Sequence, residues 1–174
     1  MKLTLPKQLF GAALTIMLTL ALTQILASAQ EVQGEQKAEE SHHFSKQARK
    51  IEGVWEAQVT RRVCATGDPL ATFRGMTTFL RDGASIGTNN LPPTTGGIAF
   101  GRWKYLGGNR YLDVERFFRY NPDGSFAGVQ RITRNFTLNH EGNQFTGTVS
   151  IEVFDATDHL IQTGCATEVT KRVE

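Results

Sequence analysis

The chain is poor in the residues that most specialised chemistries require. Of its 174 residues, two are cysteine, four histidine and five proline. Two cysteines cannot build a thiolate metal cage, and no Cys, Asp or further His near the adjacent His42 and His43 completes a ligand set. Neither a nucleophile elbow nor a phosphate-binding glycine loop occurs, so no catalytic residues, metal or cofactor are assigned and the balance leans away from an enzyme. Past Leu26 no long apolar run recurs, so the remainder is expected to be soluble. No sustained helical period is found either, which leaves strands as the main regular structure.

The first 29 residues form a separate unit. Lys2 and Lys7 precede an apolar run from Leu9 to Leu26, and Ala27-Ser28-Ala29 stands before Gln30. This is the pattern of a cleaved secretory signal, which predicts export to the periplasm or the extracellular space. Of the chain's 19 Lys+Arg, the signal takes two and none of the 17 Asp+Glu, so a cleaved chain carries 17 of each. That balance argues against a nucleic-acid partner. Residues 30–50 are polar, with Phe44 their only aromatic, and read as a linker or short helix. Residues 51–174 suit one domain.

In an exported domain, Cys64 and Cys165 are expected to form a disulfide. Cys64 closes the first strand-like segment and Cys165 lies in the last, so a bond requires the first and last strands to be neighbours. Runs rich in Val, Ile, Thr and aromatics alternate with turn clusters such as Arg81-Asp82-Gly83, Gly107-Gly108-Asn109 and Asn121-Pro122-Asp123-Gly124. Strands are predicted at 52–64, 72–81, 84–89, 98–106, 110–120, 125–138, 144–154 and 160–173. The fold class is therefore all-β: an eight-stranded antiparallel up-and-down barrel, closed by a disulfide between its first and last strands and wide enough for packed side chains or one small ligand. Loops 65–71 and 89–97, the second stiffened by Pro92 and Pro93, are candidate lids.

Alternation places Ile51, Trp55, Ala57 and Val59 inward on the first strand, with Arg61 on the same face. On the fifth strand the apolar set Leu112, Val114, Phe118 and Tyr120 reads as inward, bringing Arg116 with it and leaving Asp113 and Glu115 outside. On the sixth, Phe126, Ile132, Phe136 and Leu138 face in with Gln130 and Arg134. Pairing Tyr120 with Phe126 sets Arg116 opposite Gln130, and pairing Leu138 with Asn143 sets Arg134 opposite Gly147. A buried guanidinium needs a counter-charge, a carbonyl, water or an anion. The ligand-binding candidates are accordingly Arg61, Arg116, Gln130 and Arg134 for a polar or acidic head, with Trp103, Phe118 and Phe136 for an apolar body. The alternative is that these arginines reach water or pair with Glu115, Glu152 or Glu168. The bridge raises a conflict of phase, because Cys64 continues the outer face whereas Ile161, Val169 and Val173 suggest an inward Cys165. A bulge near Val63 or Gly164 would reconcile the two.

Gly53-Val54-Trp55 on the opening strand resembles the Gly-x-Trp signature of lipocalins and related calycin barrels. That resemblance implies that Trp55 packs across the closed end under an arginine of the last strand, here Arg172, both in structural roles. It spans residues 51–174 and is nearest to short secreted bacterial lipocalin-like proteins of uncharacterised function; a Thr-Asp-Tyr segment and a helix after the barrel are missing from the pattern. The leading expectation is a monomeric secreted barrel that binds a small apolar or amphipathic molecule, and the resemblance carries over no family ligand preference. A protease inhibitor using residues 30–50, with the protease as partner, and a barrel cyclase or isomerase are the competing classes.

Overall fold

The computed structural model describes residues 46–92 and 94–174. The signal sequence and most of the polar segment, including His42 and His43, lie outside the described residues. The compact unit runs from Lys46 to Glu174, and Arg49–Ile51 form a 3-10 turn ahead of the first strand.

Eight strands follow: β1 (Gly53–Arg62), β2 (Pro69–Phe79), β3 (Ala84–Asn89), β4 (Ala99–Gly107), β5 (Arg110–Tyr120), β6 (Phe126–Leu138), β7 (Gln144–Phe154) and β8 (Leu160–Arg172). They close into an antiparallel barrel in sequence order, with β8 beside β1. The turn clusters define the hairpins. At the β4–β5 reversal Gly108 and Asn109 take φ of 57° and 61°, the pair of positive values a tight two-residue turn demands.

The disulfide links Cys64 to Cys165 with Cα atoms 5.2 Å apart. Arg62 pairs with Cys165 in the ladder, and Arg172 lies directly opposite Trp55. The expected conflict of phase is absent. The buried residues of β8 are Ala166, Glu168 and Thr170, whereas Ile161, Val169 and Val173 are exposed. Cys165 therefore shares the outer phase of Cys64. The β1–β8 ladder is continuous, and the irregularity falls between Arg61 and Arg62 against β2, where Leu70 is the extra residue.

The face assigned to β5 is reversed. Tyr111, Asp113, Glu115 and Phe117 are the buried residues, while Phe118 and Tyr120 are exposed. The cause is one residue in β6. Tyr120 does pair with Phe126, but Arg119 pairs with Gly128, leaving Ala127 as a bulge. Gly128 has φ of 132°, and a Cβ there would stand 2.0 Å from the Phe154 carbonyl oxygen, so glycine is needed at this kink. Past the bulge Arg116 faces Arg131 and Phe117 faces Gln130. A slip of one residue turns every side chain of the strand to the other face. The β6–β7 turn is also wider than expected: Leu138 pairs with Phe145, which places Gly147 opposite Phe136 and Val149 opposite Arg134.

Candidate functional site

The barrel interior has three levels. The first is a sealed end. Ile51, Trp55, Phe79, Trp103, Tyr111, Phe136, Leu138 and Phe145 form one buried cluster there. Trp55 donates its indole N–H to the Ile51 carbonyl at 2.7 Å, and the Arg172 guanidinium lies over its ring, 4.2 Å from the centroid. Arg172 also donates to the carbonyls of Lys50, Glu52 and Gly142 at 2.6, 2.7 and 3.1 Å. The Tyr111 hydroxyl donates to the Gln47 carbonyl, so residues ahead of β1 take part in the seal. Trp103 and Phe136, read from the sequence as ligand contacts, belong to this packed end, where the Trp103 indole donates to the Leu80 carbonyl.

The second level is a buried charge cluster. Arg134 meets Asp113 Oδ2 at 3.4 Å, Glu115 Oε2 at 3.0 Å and Glu168 Oε2 at 3.9 Å, and donates to Thr77 Oγ1 at 2.8 Å. All three carboxylates are at most 2% exposed. Glycines make the space for Glu115: a Cβ at Gly87 would lie 2.9 Å from both carboxylate oxygens, and one at Gly101 would lie 2.7 Å from Glu115 Cγ. Three acids share one guanidinium. Burial, then the charge of Glu115, pushes the Asp113 carboxyl from 3.8 up to about 7 against the pull of Arg134 and Ser85, whose hydroxyl donates to Asp113 Oδ1 at 2.6 Å. Burial likewise raises Glu168, while Arg134 pulls it down. For Arg134 burial works against the charge, but Glu115, Glu168 and Asp113 outweigh it and push its pKa up. Its partners are thus Asp113, Glu115 and Glu168. Glu152, the other acid considered, accepts Arg131 through two 2.6 Å hydrogen bonds.

The third level is the open mouth, a cavity of about 450 Å³ at the opposite end from Trp55. Phe73, Leu91, Ile151 and Val153 supply apolar wall, and Arg61, Arg119, Gln130 and Gln162 supply polar groups. Below it Val59, Val149 and Ala166 are buried and pack with Phe73, Ile132 and Ile151, forming an apolar floor. The loop between β3 and β4 reaches over the rim with Leu91 and Thr95. It is fastened to β2 by two bonds, Asn90 N–H to the Arg74 carbonyl and Arg74 N–H to Asn90 Oδ1.

The sequence candidates are therefore scattered. Arg61 and Gln130 line the mouth. Arg134 is inward but engaged by Asp113, Glu115 and Glu168, and Trp103 and Phe136 lie in the sealed end. Arg116 and Phe118 stand on the outer face, where Phe118 is 63% exposed and meets Phe126 edge-on. The bulge brings Arg119 into the mouth in place of Arg116. Sequence reasoning missed Arg119, Asp113 and Glu115 together; the one signal was Gly128 inside a strand pattern, the mark of a bulge.

These features define a closed eight-stranded antiparallel β-barrel with one sealed and one open end, which fits a lipocalin-like barrel. No protein-family model matches the chain, and no curated protein matches it. Among solved structures it is similar to Rv2717c from M. tuberculosis, at 14% identity and a TM-score of 0.42, over 72% of this chain and 94% of that one. Among the described residues no helix is long and apolar enough to cross a membrane.

Proposed function

We propose that the protein is an exported, lipocalin-like barrel that holds a small apolar or amphipathic molecule in its open mouth. The observation that carries this reading is the cavity of about 450 Å³, within the size range of small-molecule sites, with apolar walls and a few convergent polar groups. The sealed end and the charge cluster serve the scaffold: they close one end of the barrel and leave the other for a ligand. The signal pattern of residues 1–29 supports export, and a disulfide is compatible with an oxidising compartment.

Gly164 offers a clean test. It lines the mouth, and a Cβ there would make ordinary contacts with Ile151 at 3.6 and 3.7 Å. A Gly164→Phe variant should fold and fill the cavity. Titration with Nile red, a neutral apolar fluorophore, should give saturable emission with the wild type and little with the variant. Equal binding by a folded Gly164→Phe protein would reject the mouth as the site. Cell fractionation with N-terminal sequencing checks export, with a mature chain beginning at Gln30 expected.

A further inference from the structure

We infer that the mouth selects anionic amphipaths, with Arg119 as the residue that recognises the acidic head; this rests on the mouth being a ligand site. The charge of the lining is one-sided. Arg61, Arg62 and Arg119 line the cavity, and no Asp or Glu is among the described lining residues. The interior acids Asp113, Glu115 and Glu168 are engaged by Arg134 and are not among the described lining residues.

Of the three arginines, Arg62 is already engaged, donating to Thr167 Oγ1 at 2.8 Å and to the Gly67 carbonyl at 2.9 Å. Arg119 is different. Its Nε is shielded from solvent and has no hydrogen-bond partner among the described residues. The rest of the side chain is partly exposed and makes no hydrogen bond or ion pair among the described residues, so the guanidinium's terminal N–H groups are free to meet an anion arriving in the mouth. Planar, delocalised donors suit a carboxylate, sulfonate or phosphate oxygen pair.

The backbone reinforces the assignment. The Gly128 bulge is what turns Arg119 inward, and it also leaves Gln130 facing the same cavity. A ligand whose anion meets Arg119 would lay its body against Phe73, Leu91, Ile151 and Val153. The floor beneath, closed by Val59, Ile132 and Val149, limits the body to a compact or medium-length one.

The experiment is competition against Nile red bound to the intact wild-type protein, using octanoate and 1-octanol, which share an apolar chain and differ in the head. Octanoate should displace the dye at a concentration about 10- to 100-fold lower than 1-octanol, the range for a hydrogen bond to a charged partner. Arg119→Leu should bind Nile red and lose that preference, and Arg119→Lys should retain part of it. If Nile red binds and the two competitors displace it equally, the anion inference fails while the mouth stands as an apolar site. A preference kept in full by a folded Arg119→Leu protein would also overturn the role of Arg119. Absence of Nile red binding would refute both readings.

Discussion

Acidification should stabilise this barrel, because Asp113 takes up a proton on folding. Its carboxyl is raised from 3.8 to about 7 by burial and by Glu115. A group whose folded pKa lies above its unfolded value contributes stability that is complete below the unfolded pKa and lost as pH rises through the folded one. The full contribution is on the order of 4 kcal/mol at 1.36 kcal/mol per unit, and roughly 2 to 3 kcal/mol of it is gained between about pH 8 and about pH 5. Glu168, also raised by burial, acts in the same direction. Asp123 and Asp155 have lowered pKa values through their hydrogen bonds to Ser125 and to Thr157 and His159, so what they contribute is lost only in more acid solution, below this window. Urea unfolding with the disulfide intact reads the effect: the midpoint should move up by about 1 to 2 M on going from pH 8 to pH 5, at an unchanged slope. Asp113→Asn keeps the shape and a carbonyl for the Ser85 hydroxyl, and most of the pH dependence should vanish with it. A wild-type midpoint that is flat or falls across this range would refute proton uptake by Asp113 on folding.

Three further outcomes follow from the scaffold. Reduction of Cys64–Cys165, which are separated by 101 residues, should cost up to about 4 to 5 kcal/mol in the chain-entropy view, measured by urea unfolding with and without dithiothreitol. Arg172→Met removes donors to three carbonyls and the cation over Trp55, and should destabilise the barrel by about 2 kcal/mol or more with a shift in tryptophan emission. Gly128→Ala meets both a positive φ and the Phe154 carbonyl, and a loss of at least about 1 to 3 kcal/mol is expected; a neutral result in thermal unfolding would contradict the bulge.

Much of the fold was legible because turn chemistry is local. Gly, Asn, Asp and Pro clusters mark the reversals, and the observed strands start and end within three residues of the predicted bounds. The closure of β8 onto β1 followed from two cysteines. What alternation could not resolve was which face of β5 and β8 points inward. Both strands carry acids inside and apolar residues outside: Asp113, Glu115 and Glu168 are buried, while Phe118, Ile161 and Val169 are exposed. The usual hydrophobic rule inverts where a barrel encloses a charge cluster, and the residues that permit it, Gly87 and Gly101, sit on other strands far from the acids in sequence. The site was misread for the same reason. Arg61 and Gln130 lie on strands whose phase was read correctly, and Arg119 was lost to a single bulged residue.

The central claim is that a ligand enters the open end, and the most direct measurement is methyl NMR of the wild-type protein titrated with octanoate. The methyls of Leu91, Ile151 and Val153 at the mouth should shift with one saturable dependence, while Ile51 and Leu138 in the sealed end stay still. Shifts confined instead to outer-face methyls, such as that of Ile98, exposed like Phe100 and Phe118, would contradict the account.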